Sequence, residues 1–232
     1  MRIHLCNGAS EAVRLSMMGV IRNETDGVLV PIPQYPLYSA QLTLQKGTFL
    51  PYFLDEANNW GINIDEIEAQ ISHQEEVGIT PRAMVVINPG NPTGQVLPRE
   101  HIESILMLAH RHNIMILADE VYQKNIYTEK PFISFRKVLS ELGPPYNNEI
   151  ELISYHSVSK GLLGECGLRG GYMEMTNLPQ QAEEQIYKLK SIELCSNTLG
   201  QFAVQLMINP PDAEHNSDEC VWKYIQETTA HQ

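Results

Sequence analysis

The run Ile114-Met115-Ile116-Leu117-Ala118, followed at once by Asp119-Glu120-Val121-Tyr122, is the stretch from which the fold can be argued. An unbroken apolar run of strand length has no polar face, so it predicts a strand covered on both sides, as in a parallel sheet between helices. The two carboxylates then stand at its carboxyl end, where open parallel sheets bind their ligands.

Working outward, Pro98 begins a helix through His112, and before it Ala83-Met84-Val85-Val86-Ile87 is a second β-branched strand that runs into Asn88-Pro89-Gly90-Asn91-Pro92-Thr93-Gly94. Strands are also predicted over 27–33, 48–54, 152–156 and 171–175. Helices are predicted over 11–22 with Ser10 as N-cap, over 39–46 closed by Gly47, and over 64–74 behind an Asn63/Glu66 capping box. Two more follow, over 179–194 and 199–208. This alternation is that of an α/β protein: a mostly parallel sheet with helices on both faces. One large domain over residues 1–211 is expected, then a divergent, acidic and polar tail over 212–232 that packs poorly.

At 232 residues and 43% hydrophobic content the chain can bury a core of that size. A net charge of −12 and the absence of any Lys/Arg cluster argue against nucleic acid and anionic membranes as partners. Cys6, Cys166, Cys195 and Cys220 have neither disulfide nor metal-ligand spacing, so no metal site is expected and a reducing compartment fits. No apolar run reaches the roughly eighteen residues of a membrane span, and a soluble, intracellular protein is expected.

Three predicted strands end in chemistry. The first delivers the Asn88–Gly94 turn, the second Asp119 and Tyr122, and the third leads through Ser154-Tyr155-His156-Ser157-Val158-Ser159 to Lys160, with Arg169 in the glycine-rich stretch beyond. If these strands are neighbours, an amide, a carboxylate, a phenol and an amine converge on one crevice. Taken singly the residues are ambiguous: Asp119 serves equally as a helix cap, Asn91 and Tyr122 as turn and core groups, and Tyr35 as packing. Small residues at Ala9-Ser10 before a helix suit a phosphate, and equally an ordinary capped helix.

Together, Asn88–Gly94, Ala118-Asp119-Glu120-Val121-Tyr122 and Ser157-Val158-Ser159-Lys160-Gly161 resemble the fold-type I pyridoxal-phosphate-dependent aminotransferases. The stretches 31–40, 88–96 and 160–174 are similar to the alanine aminotransferase branch, and the likeness covers roughly residues 3–211. It implies the large, cofactor-binding domain of that fold, without the C-terminal small domain. It also implies pyridoxal 5′-phosphate as cofactor. Lys160 would be the catalytic residue, forming a Schiff base with the cofactor aldehyde and shuttling the substrate α-proton. Asp119 would pair with the pyridine nitrogen, Asn91 and Tyr122 would hydrogen-bond the phenolic oxygen, and Tyr35 would stack on the ring. Ala9, Ser10, Ser157 and Arg169 would hold the phosphate. A lowered pKa is expected for Lys160 from a cationic, partly desolvated site.

The resemblance implies small amino acids and 2-oxo acids as partners, here L-alanine plus 2-oxoglutarate giving pyruvate plus L-glutamate. It implies a homodimer or pairing with a full-length subunit, in the cytosol or the mitochondrial matrix. The expected departures are truncation at both ends and the lack of an arginine in a motif that binds the substrate carboxylate. Weak turnover is therefore expected, with a non-catalytic remnant as the alternative. A Ser-x-x-Lys acyl-enzyme hydrolase lacks its Lys-Thr-Gly partner, and a nucleotide-binding module lacks its glycine fingerprint.

Overall fold

A computed structural model describes residues 2–161, 163–210 and 223; apart from Lys223, the expected tail lies outside the described residues. In chain order the elements are β1 (Arg2–Cys6), α1 (Ala9–Val20), β2 (Asp26–Ile32), α2 (Leu37–Gln45), β3 (Thr48–Asp55), β4 (Gly61–Ile62), α3 (Ile64–Glu76), β5 (Thr80–Ile87) and α4 (Arg99–His112). They continue with β6 (Met115–Asp119), α5 (Phe135–Leu142), α6 (Tyr146–Glu149), β7 (Leu152–Ser157), β8 (Gly171–Thr176), α7 (Gln180–Ser191) and α8 (Thr198–Ile208).

The strands form one 8-stranded sheet in the order β1-β8-β7-β6-β5-β2-β3-β4. From β7 to β3 the neighbours are parallel, while β8, β1 and β4 pair antiparallel toward the edges. The expected mostly parallel α/β sheet is present, and β5, β6 and β7 are adjacent. Connections run from β2 to β3 on one side and from β5 through β6 to β7 on the other. The strand order therefore reverses between β2 and β5, which is where open sheets leave a crevice at their carboxyl ends.

Strand side chains alternate between faces, so an apolar run feeds two cores at once. Val28, Val30, Ala83, Val85, Ile87, Leu117, Ile153 and Tyr155 pack with α1, α2 and α7. Leu29, Met84, Val86, Ile116, Ala118 and Leu152 pack with α3, α4 and α5 on the opposite face. The same alternation separates the adjacent carboxylates that end β6. Asp119 follows Leu117 onto the first face and Glu120 follows Ala118 onto the second.

Several local expectations are corrected. Helix α1 begins at Ala9 with Gly8 at its N-cap, φ 83°, and no side chain caps it; Ser10 sits inside the first turn and is not the cap. Helix α2 ends on Lys46 in the left-handed conformation, φ 58°, ahead of Gly47. At Gly47 a Cβ would lie 3.0 Å from Ile21 and Leu42 side chains, so that glycine serves close packing. Strands β1 and β4 and helices α5 and α6 lie outside the elements expected from the sequence. Ser134, which opens a second Ser-x-x-Lys pattern, is the N-cap of α5, accepting a hydrogen bond from Lys137 N at 3.2 Å. The Asn63 cap of α3 is as expected, accepting from Glu66 N at 3.4 Å.

Candidate active site

A cleft of ≈ 240 Å³ opens at the carboxyl ends of β5, β6 and β7. Its lining includes Ala9, Ser10, Tyr35, Asn91, Asp119, Tyr122, Ser157, Lys160 and Arg169. Every candidate residue named from the sequence is thus in one place. Tyr35 arrives on the loop after β2, Asn91 on the loop after β5, Asp119 as the last residue of β6, Ser157 as the last of β7, and Lys160 in the turn beyond. Sequence reasoning missed other lining residues, among them Leu37, Val121, Ser159 and Cys166.

Asp119 lies at the floor, 6% exposed. Its Oδ2 accepts a 2.6 Å hydrogen bond from the Tyr38 hydroxyl, and its Oδ1 a longer one, 3.4 Å, from Val121 N. Burial pushes its pKa above the usual carboxylate range; the Tyr38 and Val121 hydrogen bonds and the Lys160 charge oppose that shift. Asn91 Nδ2 donates to the Tyr122 hydroxyl at 3.1 Å, so those two polar groups face the cleft as a pair.

Lys160 Nζ stands 5.3 Å from the centre of the Tyr122 ring, within cation–π range. Its pKa is raised, chiefly by hydrogen bonding with the Tyr122 side chain, and only secondarily opposed by desolvation. The lowered pKa expected from the sequence is thus corrected: the residue is half-buried, and the phenol beside it favours the ammonium form.

Arg169 closes the other end. Its backbone is left-handed, φ 51°. Its guanidinium donates from Nη1 to Cys166 O at 2.9 Å, and from Nη2 to Asn7 O at 2.8 Å and Ser10 Oγ at 3.0 Å. Gly8 makes this possible, since a Cβ there would lie 2.3 Å from Arg169 Nη2. The guanidinium is therefore clamped over the uncapped start of α1. Ser157 is turned partly inward: its hydroxyl donates to Gly170 O at 3.0 Å, and it accepts from Ser159 N at 3.1 Å. Ser159 is the more exposed of the two hydroxyls at the cleft wall.

Glu120 shows how close the wrong carboxylate lies. It is 5% exposed, accepts from Phe135 N at 2.7 Å to tie down α5, and is absent from the cleft lining. Burial pushes its carboxyl up to about 8, from an ordinary 4.5. A folded-state pKa raised in this way adds stability that is fully present below the unfolded value and is lost as pH rises toward the folded one. Glu120→Gln, whose amide oxygen still accepts from Phe135 N, should therefore gain on the unsubstituted chain as pH rises from about 5 to 8, with a slope of at most about 1.4 kcal/mol per pH unit. Urea unfolding of both chains across that range checks it; a stability difference independent of pH would contradict the assignment.

The sequence model of the family "Aminotransferase class I and II" matches residues 2–230, and the chain belongs to that family. The family is in general pyridoxal-phosphate-dependent. The chain is 52% identical over 210 residues to glutamate–glyoxylate aminotransferase 1 of Arabidopsis thaliana, covering 90% of this chain and 44% of that protein. To alanine aminotransferase 1, mitochondrial, of the same plant it is 47% identical over 226 residues, covering 97% of this chain and 41% of that protein. Among solved structures, an alanine aminotransferase from Pyrococcus furiosus superimposes with a TM-score of 0.78 at 27% identity, over 97% of this chain and 52% of that one. The chain thus spans less than half the length of these curated relatives. Among the described residues no helix is long and apolar enough to cross a membrane.

Proposed function

We propose that this chain is the cofactor-holding half of a transaminase acting on L-alanine and 2-oxoglutarate, with pyridoxal 5′-phosphate as its cofactor. The observation that carries the reading is the convergence on one cleft of groups from the start of α1 and from the chain at or beyond the ends of β2, β5, β6 and β7, each chemically matched to one part of that cofactor. The fit can be tested on the residues themselves. The uncapped start of α1, the Arg169 fork and the nearby hydroxyls make an anion seat that a side chain at Gly8 would fill. At the floor, Asp119 offers a buried acceptor suited to a cationic ring nitrogen.

In this reading Ala9, Ser10, Ser157 and Arg169 hold the phosphate, Asn91 and Tyr122 hydrogen-bond the phenolic oxygen, and Tyr35 lies against the ring. Tyr35 is 48% exposed at the cleft rim, leaving its face free to be covered. When bound, pyridoxal phosphate supplies an electron sink for the electrons released at the substrate α-carbon. Asp119 keeps the ring nitrogen protonated. Lys160 would hold the aldehyde until the substrate amine displaces it, and its freed amine would then move the proton at the substrate α-carbon.

The substrate carboxylate needs a cation of its own, and the described cleft offers only Arg169 and Lys160, which this reading commits to the anion seat and to the aldehyde. The chain's other arginines are engaged elsewhere: Arg2 with Glu183, Arg14 with Glu193, Arg22 and Arg82 with Asp26, Arg99 with Glu103 and Glu141, Arg111 with Glu68, and Arg136 with Glu174. Losing one oriented charge contact costs about 2.7–4 kcal/mol, or roughly 10²–10³ in rate, so the chain alone is expected to turn over slowly. Pairing with a second copy or a longer subunit fits the exposed stripe Leu199, Phe202 and Leu206 on α8, whose other side buries Ala203 and Val204. A cytosolic or mitochondrial-matrix setting belongs to the same reading, one relative being named as mitochondrial.

The test is a half-reaction. Purified chain loaded with pyridoxal phosphate is mixed with L-alanine or L-glutamate, and loss of the visible absorbance is followed. Slow conversion, faster with L-alanine, is expected. No conversion by any donor would favour the non-catalytic remnant, and a preference for L-glutamate with glyoxylate as acceptor would move the substrate assignment to the other named relative.

A further inference from the structure

Resting on the cofactor reading above, we propose that Tyr38 is a positioning residue for Asp119: its hydroxyl holds Oδ2 and leaves Oδ1 as the oxygen available to the cleft. Tyr38 has no exposed surface and sits in the first turn of α2. Its hydroxyl-to-Oδ2 distance of 2.6 Å is that of a strong hydrogen bond to a carboxylate, whereas the remaining donor, Val121 N on Oδ1, lies at 3.4 Å. The short bond to one oxygen fixes the torsion of the carboxylate plane, and the other oxygen is left for the cleft.

The phenol is also a permanent donor. Burial, and then the Asp119 charge, hold its pKa well above the ordinary tyrosine value, so it keeps its proton through the working range. The charged or titratable groups facing this pair are few. Lys160 acts from the turn after β7 and favours the carboxylate; Tyr155 on β7 and Glu120 beside Asp119 interact with it electrostatically, and Tyr35 and Tyr155 interact with the Tyr38 phenol. Tyr38 makes the only short hydrogen bond to the carboxylate among them.

Geometry adds a second consequence. Tyr35, at the cleft rim, and Tyr38 flank the start of α2. One helix start thus carries both the aromatic face above the cleft and the donor beneath its floor, so displacing α2 moves both.

The experiment compares the unsubstituted chain with Tyr38→Phe, using Asp119→Asn to identify the Asp119 signal. In the cofactor-free protein the Asp119 carboxyl is titrated by carbon NMR with isotope-labelled aspartate. In the loaded protein, pyridoxal phosphate affinity and the pH dependence of the visible spectrum are recorded. Tyr38→Phe is expected to move the carboxyl titration upward, because a hydrogen bond that favours the charged form is gone, and to weaken cofactor affinity roughly tenfold. Should Tyr38→Phe fold poorly, a fluorinated tyrosine at position 38, a stronger donor of nearly the same shape, is expected to move the titration the opposite way. A titration unmoved by these changes overturns the proposal. An unsubstituted chain that captures no pyridoxal phosphate would instead overturn the cofactor reading, while the titration still decides whether Tyr38 governs Asp119.

Discussion

Lys160→Ala should abolish the saturable covalent capture of pyridoxal phosphate. Capture joins a neutral amine to the aldehyde with loss of water, and Lys160 is the only lysine lining the described cleft. Its ammonium is stabilised beside Tyr122, so the free chain holds little neutral amine near pH 7, and capture should accelerate as pH rises through the alkaline range. The other lysines will react weakly and without saturation, as solvated surface amines do. The measurement is therefore the saturable part of the visible absorbance, followed by borohydride reduction and peptide mapping. One labelled peptide containing Lys160 is expected from the unsubstituted chain and none from the variant. Equal saturable capture by Lys160→Ala would remove Lys160 from its assigned role, and with it the reason to place the aldehyde at the end of β7.

The second large effect is on affinity. Arg169→Ala removes the cation of the anion seat, together with the bonds that fasten Asn7 O, Cys166 O and Ser10 Oγ to one another. Hydrogen bonds to charged groups contribute about 1.5–3 kcal/mol, so pyridoxal phosphate affinity should fall roughly 10- to 150-fold. Arg169→Lys restores the charge without the planar fork and should recover only part of that loss. Pyridoxal without its phosphate provides the control. If Arg169 acts on the phosphate, the unphosphorylated aldehyde binds the variant and the unsubstituted chain alike. Equal losses for both compounds would mean that the substitution merely loosens the start of α1.

Much of the framework around this cleft is legible in the sequence. The runs Ala83–Ile87 and Ile114–Ala118 ahead of Asn91 and Asp119 are unbroken and apolar, Leu152–His156 ahead of Lys160 is mixed, and in a parallel sheet their carboxyl ends lie on one edge. Their adjacency, a condition the sequence left open, is met in the sheet order, where β5, β6 and β7 are neighbours. The family resemblance names Ser10 and Arg169 together, and they lie 3.0 Å apart, but the N-cap expected at Ser10 is instead Gly8. Glycine at position 8 takes that place because Arg169 occupies the space a side chain would need.

Other features had no local signature. Strand β1 is short, has two exposed apolar residues, and forms because β8 offers it an open edge. The raised pKa of Lys160 depends on where Tyr122 places its ring, a matter of loop conformation that composition does not encode. Tyr38 is one of two tyrosines flanking the start of α2, and nothing in that run distinguishes a donor from a packing residue.

The run with which the reading began, Ile114–Tyr122, carries both lessons. Its apolar pattern was enough to establish a doubly covered strand and a polar edge, because hydrophobic periodicity is local and burial follows from it. That pattern does not say which of its two carboxylates serves the cleft, and Asp119 is singled out in the sequence only by the family resemblance. Asp119 and Glu120 are chemically near-identical neighbours, and they part only because successive strand residues face opposite sides and different helices wait there: α2 with the Tyr38 hydroxyl on one side, α5 with an unfilled Phe135 N–H on the other. That choice is made by partners distant in sequence, 81 residues away in the case of Tyr38, and so it exists only once the chain has folded.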